Sequence, residues 1–120
     1  MLNGRPALIV EEEFLIALDI QRMLEGLGVG QTLFARNAEE ARQLRYHWPD
    51  LALAIVELRL DETRNHALPE DLCEAGVALV ITTGDFGLSR KFPSLAPVIV
   101  KPIPEEVLAS AVAMALAARP

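Results

Sequence analysis

Four stretches of this chain are apolar without a break: PALIV at 6–10, LALAIV at 51–56, VALVIT at 77–82 and VIV at 98–100. A strand with one wet face alternates apolar and polar residues. Runs that do not alternate predict strands covered on both faces, and a parallel sheet flanked by helices is where such strands occur. QTLFA at 31–35 adds a weaker strand, second in chain order.

The segments between these runs carry helical signals. After Glu11, Glu12 and Glu13, apolar residues fall at Ile16, Ile20, Met23, Leu24 and Leu27, one face of a helix, and Gly26 and Gly28 supply its stop. Asn37 with Glu40 predicts a capping box opening a helix that turns Ala41, Leu44 and Trp48 inward before Pro49 and Asp50 end it. A short third helix is predicted from Pro69 to Ala75, with Gly76 just past its end. The stretch from Gly84 to Pro97 holds two glycines and two prolines and supports only a short or mobile fourth helix. From Pro104 onward, Leu108, Ala111, Val112, Ala115 and Leu116 mark the inner stripe of a last helix. Strands alternating with helices in this way predict an open, doubly wound α/β sandwich, because right-handed crossovers place helices on both sheet faces.

Bulk properties narrow the function classes. A length of 120 residues predicts one domain, spanning 1–120, with enough chain to bury a core unaided. The net charge of -6 argues against a nucleic-acid partner, which would demand clustered Lys and Arg. Cys73 has no second cysteine to pair with, so neither a disulfide framework nor a Cys-rich zinc site is available, and a reduced, cytoplasmic setting is expected. The apolar stretch from Val107 to Ala118 is too short to span a bilayer, and no signal-peptide pattern opens the chain, so no membrane partner is expected. His47 and His66 lie far apart without partners at metal-ligand spacing.

In open α/β sheets, sites form beyond the carboxyl ends of the strands. Glu11 and Glu12 follow the first strand, Glu57 ends the third, Thr83 follows the fourth and Lys101 follows the fifth, so all five should meet at one edge. Each has a plain alternative taken singly. Acids at a helix start are favoured by its dipole, and Glu57 alone would pass as an exposed strand-end charge. The ordered set carries the argument.

That set, with LIVEEEFLIALDI at the start, Thr83-Gly84 and Lys101-Pro102, resembles the receiver domain of bacterial two-component response regulators over essentially the whole chain. The resemblance implies a flavodoxin-like (βα)5 sandwich with a five-stranded parallel sheet in the order 2-1-3-4-5. It implies an Mg2+ ion held by Glu11, Glu12, Glu57 and the backbone carbonyl of Arg59, and a phosphoacceptor position at Glu57 contacted by Thr83 and Lys101. It also implies a cis peptide at Lys101-Pro102, the linkage for which proline makes cis accessible. The implied role is phosphorelay signalling, with a phosphorylation-independent protein-binding pseudo-receiver as the alternative, rather than enzymatic turnover. Histidine kinases, phosphotransfer proteins and other signalling proteins are the implied partners, and the implied state is a monomer or weak homodimer.

Two departures matter. Glu57 stands where the family has aspartate, and the added methylene moves the carboxylate outward by about 1.5 Å. A displacement of about 1 Å at a reacting centre can cost roughly a hundredfold in rate. Glu12 likewise stands where aspartate is usual. Two carboxylates about 5 Å apart repel by roughly 3 kcal/mol at an effective dielectric near 20. Mg2+, Lys101 reaching Glu57 or a raised carboxylate pKa must relieve that repulsion. The expectation is that Glu57 meets Lys101 directly and partly imitates the phosphorylated aspartate.

The second departure is Val98, where the family carries an aromatic residue that moves with the threonine. The loop from Gly84 to Pro97, with Phe86 and Phe92, is the substitute route, and it joins the last strand and helix as the expected contact surface. Asp85 and Arg59 are further charges beside the site, while Asp61 and Glu62 solvate the loop after the third strand. A phosphatase or phosphotransferase of similar architecture would want an Asp-x-Asp arrangement where Glu11-Glu12-Glu13 stands. A flavodoxin-like cofactor binder would want phosphate-binding backbone donors at that same place.

Overall fold

The computed structural model describes residues 1–90 and 96–118. Five parallel strands, β1 (Ala7–Val10), β2 (Thr32–Ala35), β3 (Leu53–Glu57), β4 (Ala78–Thr83) and β5 (Val98–Val100), form one sheet in the order β2-β1-β3-β4-β5. The helices are α1 (Phe14–Glu25), α2 (Ala38–Gln43), α3 (Leu68–Glu74) and α4 (Glu105–Ala118). This is the doubly wound, flavodoxin-like arrangement predicted above, with the strand order 2-1-3-4-5.

The sheet divides the core in two. On one face Ile9, Leu53, Ile55 and Val80 pack with Ile20 and Leu24 of α1 and with Leu108 and Val112 of α4. On the other, Leu8, Val56, Leu79 and Ile81 pack with Ala41 of α2 and Leu72 of α3, and with Trp48 and Leu88. Every residue of β1 and β4 is buried, which is why these strands show no polar alternation. Burying each such aliphatic side chain is worth roughly 1.5–3 kcal/mol.

Glu11–Glu13 precede α1 as expected: Glu13 is the N-cap residue, and its carbonyl accepts from the Ala17 amide at 3.0 Å. Two local expectations change. The helix opened by Asn37 ends at Gln43 and continues as a 3-10 segment, Arg45–Asp50, because Pro49 cannot support regular helical bonding. That tighter winding still buries Trp48, whose Nε1 donates to the Ala41 carbonyl at 3.2 Å. Asn37 caps α2 by accepting from the Glu40 amide at 2.9 Å. Glu40 returns its carboxylate one residue further back than a capping box requires, to the Arg36 amide at 2.9 Å.

After β4 the chain forms a 3-10 segment, Phe86–Arg90, where a short fourth helix was predicted. Phe92 lies outside the described residues. Gly76 follows α3 with φ +83°, a left-handed conformation that glycine adopts without a Cβ penalty. Gly30 has a different reason to be glycine: a Cβ there would lie 2.0 Å from the Gly4 carbonyl oxygen.

Candidate functional site

The register brings four strand ends to one rim. Val10 pairs with Val56, Glu57 with Thr82, and Thr83 with Val100. Glu11 is therefore the first residue beyond β1, Glu57 is the last of β3, and Lys101 is the first beyond β5. The backbone extends the ladder past the strands, with the Glu11 amide donating to Ala35 at 2.9 Å and the Lys101 amide to Thr83 at 2.7 Å. Lys101-Pro102 is a cis peptide.

Lys101 Nζ bridges two acids. It donates to Glu11 Oε1 at 2.8 Å and to Glu57 Oε2. The side chains of Glu11, Glu57 and Lys101 are 1%, 12% and 18% exposed, so the triad is withdrawn from water and its charges are weakly screened. Burial pushes the Glu11 carboxyl above its ordinary range, against the lowering effect of its hydrogen bond with Lys101. Burial opposes the charge on Lys101 as well, yet its hydrogen bonds to Glu11 and Glu57 outweigh this and hold its pKa above the ordinary value. Of the three routes to neutralising the acids, the lysine and a raised carboxyl pKa are both present.

Glu12 takes a different cation from the triad. Its Oε2 accepts from Arg59 at 2.7 Å, and the same guanidinium nitrogen lies 4.0 Å from Glu57 Oε1. Arg59, expected both as a carbonyl ligand and as a further charge beside the site, thus joins Glu12 to the cluster through its side chain. A cleft of about 290 Å3 opens on this side, lined among others by Glu12, Arg36, Glu57, Arg59, Glu62 and Arg64.

Thr83 is fully buried, and its Oγ1 accepts from the Asp85 amide at 3.0 Å. Asp85 in turn accepts from the Leu60 amide at 3.0 Å, which ties the loop after β4 to the loop after β3. Thr82, on which no site role was placed, is 1% exposed, and its Oγ1 has no hydrogen-bond partner among the described residues. His66 has a structural role: its Nε2 donates to the Arg59 carbonyl at 2.6 Å.

The arrangement does not fit the Mg2+ ion that the resemblance implies. Glu11 uses one oxygen on Lys101 and the other on the Glu13 amide at 3.0 Å. Glu12 and Glu57 share the Arg59 guanidinium. The Arg59 carbonyl has two lone pairs, and it accepts from both His66 and the Glu62 amide, the latter at 3.3 Å. Among the described residues, no group of three or more His, Cys, Asp and Glu side chains is placed to hold a metal ion. Among the described residues, no helix is long and apolar enough to cross a membrane.

No protein-family model and no curated protein sequence matches this chain. Solved structures do match. A response regulator receiver domain protein from Clostridium thermocellum superposes with a TM-score of 0.77 at 18% identity, covering 94% of both chains. The receiver domain of a signal transduction histidine kinase from Syntrophus aciditrophicus gives 0.72 at 26% identity, covering 94% of this chain and 90% of that one. The receiver domain of the PhyR response regulator of Erythrobacter litoralis gives 0.77 at 19% identity, covering 98% and 93%.

Proposed function

We propose that this chain, which has the fold of response regulator receiver domains, is a two-component signalling module that works by protein contact. In this reading Glu57 is a permanent charge at the phosphoacceptor position. One observation carries it: Lys101 is already committed to Glu57 and Glu11. In the receiver arrangement that lysine would meet the phosphoryl group. A glutamate reaching it directly fills the same electrostatic role with less charge, since a phosphate would bring about -1.5 to -2.

Output then runs through surface. From Val107 to Ala118 the last helix carries no charged residue. Its Val107 and Met114 are 43% and 63% exposed, an apolar face suited to a signalling-protein partner in the cytoplasm. The loop after β4 adds Phe86, 85% exposed, and is tied to the site through Asp85. These features support a binding module rather than an enzyme.

The test is acetyl phosphate with Mg2+ followed by intact-mass measurement, paired with amide NMR spectra of the wild type and Glu57→Gln. We expect no phosphoryl adduct on the wild type, and amide shifts along Gly84–Leu88 when the charge at 57 is removed. A stoichiometric adduct mapped to Glu57 would sink the reading, as would amide positions in that loop that ignore the substitution.

A further inference from the structure

The structure assigns the Arg59 guanidinium the place of a divalent cation: it is a built-in counter-charge for Glu12 and Glu57 that keeps metal out of the site. The inference rests on this geometry and not on the signalling role, so either can fail alone.

A bridging Mg2+ would need carboxylate oxygens at about 2.0–2.1 Å on two sides in near-octahedral order. Here a single guanidinium nitrogen stands between the two acids, 2.7 Å from Glu12 Oε2 and 4.0 Å from Glu57 Oε1. Glu57 and then Glu12 favour the charged guanidinium, so the arginine is present as a full cation at any ordinary pH. Because residue 59 lies two positions from Glu57, the guanidinium is tethered beside the acids, and a free ion must compete with a group at high local concentration. Around the cleft Arg59 answers Glu12 at 2.7 Å and Arg64 answers Glu62 at 3.0 Å, so both carboxylates already have a cation beside them. The third acid, Glu11, is already satisfied by Lys101 and the Glu13 amide.

Removing Arg59 should convert the site. Glu12 and Glu57 would then face the cleft with no cation between them, and a dication is the simplest remedy for their repulsion. Arg59 is 41% exposed at its side chain, so Arg59→Gln leaves the core untouched.

Mn2+ is the probe, read by paramagnetic broadening of amide signals. In the wild type, the amides of Glu12, Glu13, Glu57 and Leu58 should stay sharp as Mn2+ is added in excess over protein. In Arg59→Gln those same signals should broaden first, with apparent affinity higher by about tenfold or more, as expected when a like charge about 4 Å from the ion is removed. The double variant Arg59→Gln/Glu12→Gln should lose that gain. Selective broadening of these amides in the wild type at the Mn2+ level that affects Arg59→Gln would overturn the inference. So would an Arg59→Gln spectrum that stays sharp, or a double variant that binds as well as the single one.

Discussion

Lys101 Nζ lies 2.8 Å from Glu11 Oε1, a contact between residues 90 positions apart that closes the rim from β5 back to β1. With Glu57 on its other side, this ammonium is the shared partner of two withdrawn carboxylates. Removing one member of a buried ion cluster costs more than the cluster contributes, because the abandoned charges cannot return to water.

Lys101→Met should therefore destabilise the protein by about 3 kcal/mol, near the lower end for breaking a buried pair because the triad keeps some exposure. Urea unfolding at neutral pH measures this. Lys101→Met/Glu11→Gln should recover part of the loss, since one stranded charge is then gone. A Lys101→Met protein as stable as the wild type would refute the shared-partner geometry.

The same ammonium sets an alkaline limit. Its folded pKa lies above the ordinary value, so the fold holds this proton more tightly than the unfolded chain does. The stabilisation is complete below the unfolded lysine value of about 10.4 and is lost as pH rises through the folded value. Glu11 has the opposite chemistry and the same sign: its raised pKa favours the protonated form in the fold, a contribution present below the ordinary glutamate range and lost as pH rises through the folded value. Urea midpoints of the wild type should fall above about pH 10.4, and the Lys101→Met midpoint should lack that part of the fall.

Thr82 and Thr83 are adjacent and should respond oppositely to loss of the hydroxyl. Thr83 Oγ1 holds the Asp85 amide at 3.0 Å, whereas Thr82 Oγ1 is buried without a partner among the described residues. Thr83→Val should cost about 1 kcal/mol, and Thr82→Val should gain about 1 kcal/mol by exchanging an unsatisfied hydroxyl for a methyl of like shape. Thermal unfolding of the two variants side by side decides it, and equal signs would count against the assigned bonding.

Trp48 is the only tryptophan and is 8% exposed, so its fluorescence should be blue-shifted in the native protein and move red on unfolding. Trp48→Phe keeps most of the apolar contact but gives up the bond to the Ala41 carbonyl, and should cost on the order of 1–2 kcal/mol. A change within error would mean the 3-10 segment does not depend on that bond.

Much of this architecture was legible because the signals were local. The continuous runs at PALIV and VALVIT could be satisfied only by two-sided burial. Asn37 and Gly76 each marked a helix boundary through the chemistry of their own residue. The helical stripe at Ile20, Met23 and Leu24 needed only the period of an α-helix. The cis linkage at Lys101-Pro102 and the meeting of Lys101 with Glu57 were legible too, though only through resemblance to a family. Where several weak local preferences competed, boundaries moved: Pro49 turned the end of the second helix into 3-10 winding, and Glu40 bonded to Arg36 in place of Asn37.

The order of apolar runs and helical stripes determined by itself that this chain would build a parallel sheet covered on both faces, with acids and a lysine at one rim. Burial of apolar groups is periodic along the chain, and periodicity can be seen in a string of letters. Only the tertiary structure decided the remaining pairings: Lys101 took Glu11 as well as Glu57, Arg59 went to Glu12 with Glu57 in reach, and Thr83 to its own loop. Hydrogen bonds and ion pairs depend on ångström distances and on the direction of flexible side chains, and those are fixed only once strands distant in sequence have come into register.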